Sequence, residues 1–241
     1  MNGKQVGKTP FSGSVPLCAV IEVGKDREKV DVELEHNGRV EYMVENKNAT
    51  SSGTWANTAS YVNESYKSNG NSFTDNRDGK KYKTVTIGTQ TWMAENLNYN
   101  TNGSKCYNND PSYCSKYGRL YNWNTAMKAC PAGWHLPTKD EYGKLDDFVG
   151  GAKTAGIFLK ATNGWNSNGN GTDTYGFSAL PGGSGKADGS FDSVGDGGRW
   201  WSSTEGPSAS AYYGRMGYNY EYMFHFYNNK FLLFSVRCVK D

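Results

Sequence analysis

The side chains of this 241-residue chain that could attack, coordinate or exchange protons are few and scattered. His36, His135 and His225 stand in three unrelated contexts, and their separations match no zinc-ligand pattern. Ser202, Ser203 and Glu205 put hydroxyls near a carboxylate, but a hydrolase serine needs a sharp G-x-S-x-G turn and a positioned base, and neither is visible. Asp188, Asp192 and Asp196 recur every four residues in a glycine-rich stretch, and hard oxygen donors on irregular backbone are what Ca²⁺ takes. The spacing is not that of an EF-hand loop, and turn-forming aspartates are the simpler reading. No cofactor is expected, with a structural calcium at these three aspartates the one exception left open.

Four of the five cysteines follow residue 100, and four cysteines allow three pairings. Short spacing favours Cys106 with Cys114, which leaves Cys130 with Cys238 and Cys18 free or intermolecular. Two disulfides imply an oxidising compartment, hence an extracellular, cell-surface or virion location; reduced, buried thiols are the alternative.

The densest chemistry is aromatic. From Trp200 to Phe234, rings alternate with Arg215, Glu221, His225 and several asparagines, residue types that give large contact area at low entropy cost in protein interfaces. The expected contact set is Trp201, Tyr212, Tyr213, Arg215, Tyr218, Asn219, Tyr220, Glu221, Tyr222, His225, Tyr227 and Asn228. The competing reading is a half-buried strand with Tyr218, Tyr220, Tyr222, Phe224 and Phe226 on its core face and Asn219, Glu221, Met223 and His225 outside. The two phenylalanines suit the core better than the three tyrosines, whose hydroxyls need water or a partner.

Composition narrows the partners. With 26 basic and 24 acidic residues, a net charge of +2 and no Lys/Arg block, the chain lacks the footprint of a nucleic-acid binder. No apolar run approaches the roughly 18 residues of a bilayer span, and no apolar stretch of about seven residues follows Met1. Neither a membrane span nor a signal peptide is therefore expected in this sequence, the latter trimmed or never needed. A hydrophobic share of 36% still allows a core, while 30 glycines, 17 tyrosines and 7 tryptophans suit a secreted or surface-displayed binding protein.

These side chains must be positioned by elements that the pattern locates. Residues 1–45 read as an N-terminal β region with a meander from residue 17: Val30, Val32 and Leu34 alternate with charges, as do Val40, Tyr42 and Val44. A three-residue loop would set Leu34 opposite Val40, Val32 opposite Tyr42 and Val30 opposite Val44, and is preferred to a two-residue Asn37-Gly38 loop that sets Glu35 opposite Val40. Residues 46–72 are polar, with Trp55, Tyr61, Val62 and Tyr66 as anchors and sequons at Asn48 and Asn63 of little weight, and read as a linker or arm. A domain then runs over 73–241. Tyr82, Val85 and Ile87 mark a strand after the Asp75–Gly79 turn; Asn122 or Asn124 caps a short helix ending before Pro131. Thr138 and Glu141 form a capping box for a helix with Tyr142, Leu145, Phe148 and Val149 on one face. Residues 150–200 read as mostly irregular, and a final hairpin is expected between Tyr218–Phe226 and Leu232–Cys238 with its turn at Asn228-Asn229.

FTDNRDGKKYKTVTIGTQTWMAENLNYN from Phe73, YGRLYNWNTAMKACPAGWHLPTKDEY, GRWWSSTE and FSVRCVKD occur in this order. Together they resemble the Fibrobacter major paralogous domain family, itself similar to C-type-lectin-like folds, formylglycine-generating enzymes and retroelement-diversified variable proteins. The resemblance implies an α+β fold: a C-type-lectin-like domain in which two helices flank antiparallel sheets and the domain's two ends meet. It also implies a Cys130–Cys238 disulfide and a structural His135 in the GWHLPT turn. Leu232-Leu233 departs from the glycine usual before FSVRC. Formylglycine chemistry needs cysteines near the GRWWSS segment, and 185–215 has none. Glu-Pro-Asn, Gln-Pro-Asp and Trp-Asn-Asp, which mark calcium-dependent sugar sites, are absent. In the variable proteins, diversification of Asn codons would generate sets like Tyr212, Tyr213, Tyr218, Asn219, Tyr220, Tyr222, Tyr227, Asn228 and Asn229. The function expected is non-enzymatic binding of a protein or glycan on another surface, of adhesin or receptor-binding type. The alternatives are an assembly module that forms oligomers and, less favoured, a formylglycine-type enzyme.

Overall fold

Two short strands, β1 (Glu33–His36) and β2 (Arg39–Met43), pair antiparallel with Glu35 opposite Val40 and His36 opposite Arg39. The loop is therefore Asn37-Gly38 alone, and the three-residue loop expected from the apolar pattern is corrected. An irregularity between Glu33 and Glu35 then sets Glu33 opposite Met43. The computed structural model describes residues 33–36, 39–43 and 71–241. The remainder of the expected meander, nearly all of the 46–72 arm with its anchors and sequons, and Cys18 lie outside the described residues. The chain divides into two units, Met1–Lys67 and Ser68–Asp241.

The second unit is α+β. It opens with β3 (Ser72–Thr74), β4 (Lys81–Ile87) and β5 (Gln90–Met93), an antiparallel run in which Tyr82, Val85 and Ile87 face inward. Then come β6 (Ser104–Lys105), α1 (Pro111–Tyr117), β7 (Leu120–Tyr121), α2 (Trp123–Ala126), β8 (Trp134–His135), α3 (Lys139–Phe148) and α4 (Ala155–Leu159). Caps explain where the helices start. Asn122 accepts from the Thr125 N–H at 3.0 Å, and the Thr138–Glu141 box is closed in both directions at 3.1 and 2.7 Å. Helix α1 was not anticipated, although Asp110 caps it and Pro111 occupies its first turn. Helix α4 lies in the stretch read as irregular and has no side-chain cap.

The remaining strands are β9 (Gly182–Gly185), β10 (Phe191–Val194), β11 (Gly197–Glu205), β12 (Ser210–Gly217), β13 (Phe224–Asn229), β14 (Phe234–Ser235) and β15 (Val239–Lys240). One sheet has the order β10-β9-β11-β14-β7-β6, with β12 on the other edge of β11 and β13 beyond it; a second has the order β3-β4-β5-β15-β8. Both ends of the unit thus share the second sheet. The expected terminal hairpin is corrected. Strand β13 pairs backward with β12, from Arg215 opposite Phe224 to Ser210 opposite Asn229, residues 218–223 form the connecting loop, and Asn228-Asn229 are strand. The last segment is instead drawn into the interior: Ser235 lies between Trp200 and Leu120, Val239 lies between Trp92 and His135, and Phe234 to Val239 are all buried. Burial on every side stabilises this apolar segment more than an exposed hairpin could.

Strands β11 and β12 separate two cores. Trp200, Met216 and Met223 pack with Trp92, Tyr142, Leu145 and Val149 on one side; Trp201, Tyr213 and Phe234 pack with Tyr121, Trp123 and Leu136 on the other. Cys106–Cys114 and Cys130–Cys238 are disulfide-bonded, as expected.

Candidate functional site

Alternation along β11, β12 and β13 lays two rows across the sheet, because directly opposed residues share a face. One row is Trp201, Tyr213, Phe226 and the next is Arg199, Arg215, Phe224. In the first row burial falls steeply toward the edge. Trp201 is 0% and Tyr213 6% exposed, with Phe234 against both rings at 4.3 and 4.7 Å, whereas Phe226 is 44% exposed. Trp201 and Tyr213 are therefore core residues and leave the expected contact set. Phe226, assigned to the core by its alternation, belongs to the surface. Tyr227 at 55% and Phe231 at 65% are exposed beside it.

The rings continue into the loop. Tyr220 stacks on Tyr222 at 5.1 Å, Tyr222 meets Phe224 edge-on at 4.1 Å, and Phe224 lies 5.3 Å from Phe226. Asn219, Glu221 and Asn228 are exposed, and Tyr218 packs partly against the first core. Tyr212 packs edge-on to Tyr227 at 5.8 Å with the Lys139 ammonium 4.6 Å from its ring.

The loop is held from below by Lys160, a residue that no sequence pattern singles out. Its buried ammonium donates to the carbonyls of Gly217 and Tyr220 at 3.2 and 2.9 Å, and burial lowers its pKa against the opposing pull of Glu221. Gly156 of α4 lies so close that a Cβ there would sit 2.8 Å from the Glu221 carbonyl oxygen. His225 is half-buried, its Nε2 2.5 Å from the Asp146 carboxylate. Burial raises the Asp146 pKa and the His225 hydrogen bond lowers it less, so this pair ties β13 to α3 rather than offering a free imidazole.

Across the second row the charges do not balance. Arg199 donates to Ser184 at 2.7 Å and pairs with Asp192 at 3.4 Å, and Lys186 also reaches Asp192 at 3.4 Å. Burial lowers the Arg199 pKa, with Asp192 opposing; the Asp192 carboxyl is penalised by its own burial but is held below its ordinary value by Ser184, Ser193 and Arg199. Arg215 stands directly opposite Arg199. Among the described residues its side chain makes no hydrogen bond or ion pair, and its Nε is buried without a partner.

The other chemical candidates resolve into structural roles. Asp188 caps its own turn through Ser190 at 2.9 Å and Asp196 accepts from Asn166 at 3.0 Å, so the three aspartates are engaged separately. Among the described residues no group of three or more His, Cys, Asp or Glu is placed to hold a metal ion. Ser202 is buried, its hydroxyl accepting from the Thr204 N–H, and Glu205 pairs with Lys230 at 3.2 Å. His135 bridges Asp241 and Glu141 at 2.7 and 2.8 Å. A groove of about 550 Å³ lies elsewhere, between α1 and the segments around Asn166 and Val194.

No significant match is found among curated proteins or among solved structures. The model of the Fibrobacter succinogenes major domain matches residues 85–240, and the chain belongs to that family.

Proposed function

We propose that the second unit is a C-type-lectin-like domain acting as a non-enzymatic binding module, of adhesin or receptor-binding type, on an extracellular, cell or virion surface. Its ligand, a protein or glycan on another surface, meets the β13 edge and the 218–223 loop. The observation that carries this reading is the contiguous strip Tyr220, Tyr222, Phe224, Phe226, whose loop is fixed by Lys160, with Tyr227 exposed on the opposite face of the same edge strand. Rings kept exposed on a rigid support bind with little loss of conformational freedom. The two disulfides support the oxidising compartment, and the sharing of one sheet by both ends of the unit supports the lectin-like topology. Tyr220, Tyr222, Asn219, Tyr227, Asn228 and Asn229 are at least partly exposed and could vary without loss of the core, which agrees with a diversified surface; Tyr213 could not.

The full chain and a Tyr220→Ser/Tyr222→Ser/Tyr227→Ser variant are to be screened against a panel of surface polysaccharides and a random-peptide display library. Capture that is lost in the variant at unchanged melting temperature supports the proposal. Capture retained by the variant moves the contact elsewhere and refutes it.

A further inference from the structure

Strand β13 is the edge of its sheet: it pairs with β12 alone, over six consecutive residues without a bulge. An edge strand presents unpaired N–H and C=O groups, which proteins ordinarily guard with lysine, proline, a bulge or a covering element. The β13 sequence, FHFYNN, contains none of these guards. Among the described residues no other strand covers it, and its last four residues are exposed. One strand inward, Arg215 carries a guanidinium without an acid and stands opposite Arg199, which shares the single carboxylate of Asp192 with Lys186. An open backbone ladder next to an uncompensated cation asks for an extended chain that brings an acid.

We propose that β13 accepts an extended, acidic peptide segment of a partner protein as an added strand, with a glutamate of that segment reaching Arg215 across the ring of Phe224. This rests on the binding reading above and names the ligand class. Main-chain hydrogen bonds to the β13 edge supply affinity, and alternate side chains supply selectivity. An added strand lies two strand spacings from β12, roughly 10 Å, which arginine and glutamate side chains together span with more slack than arginine and aspartate. Residues of the peptide on the same face as the glutamate lie along Phe224 and Phe226; those on the other face meet Tyr227, which lies opposite Tyr212. The uncompensated charge also selects against a second copy of this chain, since pairing β13 with β13 would bring two unneutralised Arg215 sites to one sheet without supplying an acid.

The test is selection of a random dodecapeptide display library on the full chain, followed by affinity measurements on synthetic versions of the enriched peptides. The expected winners lack proline, alternate β-forming residues and carry a fixed glutamate. Changing that glutamate to glutamine should weaken binding about tenfold or more on the parent protein and hardly at all on Arg215→Gln. N-methylation of alternate amides should abolish binding, with the other alternate set tolerated. The peptide-side changes keep the test valid even if Arg215→Gln is unstable. Failure to enrich any peptide, enrichment without an acid, or indifference to N-methylation overturns the proposal. So does concentration-dependent dimerisation that Phe226→Lys abolishes. Capture of polysaccharides alone would leave the binding surface standing and remove the peptide partner.

Discussion

Tyr213 and Phe226 face each other across β12 and β13 on the same side of the sheet, yet one is core and the other is edge. Tyr213→Ala or Phe234→Ala should cost roughly 3 to 5 kcal/mol of stability through lost burial and the cavity left behind. Phe226→Ala or Tyr227→Ala should cost less than about 1 kcal/mol. Urea unfolding of the four variants checks this through midpoints at constant slope. Alternation in the sequence could not separate the two classes, because period two names a face and not a distance from the sheet edge. His135 makes a prediction of different kind. Burial opposes its charge, but Asp241 and Glu141 prevail and raise its pKa above the ordinary 6.5. A histidine with a raised folded pKa contributes stability that is present below 6.5 and is lost as pH rises through the folded value. The stability difference between the parent and His135→Gln should therefore shrink between pH 6 and pH 8, read from urea midpoints at each pH; a difference that grows with pH contradicts the bridge.

Among the elements, those set by local chemistry were legible and those set by partners were not. The capping box at Thr138 and the N-cap at Asn122 are written in three or four residues, so α3 and α2 could be placed. Helix α4 has no cap and five residues, and a helix this short exists only by packing. The β12–β13 hairpin was missed because its register depends on contacts distant in sequence: the Met223 N–H donates to the Ala152 carbonyl at 2.9 Å, and Lys160 holds the Gly217 and Tyr220 carbonyls. The motifs that identify the family mark the interior. Trp200 and Arg237 both donate to Asn96 Oδ1, at 2.8 and 2.9 Å, so WW, FSVRC and ENLNY meet at one buried amide, while the candidate site lies on residues those motifs do not contain. The two disulfides should differ in weight. Replacing Cys130 and Cys238 by serine should cost about 5 kcal/mol and replacing Cys106 and Cys114 about 2.5 kcal/mol, following the lengths of the loops they close. Melting of the two double variants orders them; equal losses would mean that native-state strain or residual structure outweighs loop length.

At the scale of the whole unit, the candidate contact surface and the joint of the chain ends are separate constructions. The surface lies on β12, β13 and the 218–223 loop, and the ends lie in the sheet containing β3 and β15. Fold class and family were readable because four motifs occur in order, most of their length within the matched 85–240 region; the proposed contact surface was not, because edge position and uncompensated charge are properties of assembled strands. The bond between Cys130 and Cys238 adds a mechanical consequence. It closes a covalent ring around residues 131–237, a ring that holds α3, α4 and the whole β12–β13 hairpin. Tension transmitted along the backbone from β3 to Asp241 crosses at the sulfur atoms and never enters that ring. A load applied across the ends of the unit would stretch the sequence before Cys130 and leave on the order of 350 Å of contour unextended, so the β12–β13 hairpin stays slack under that load.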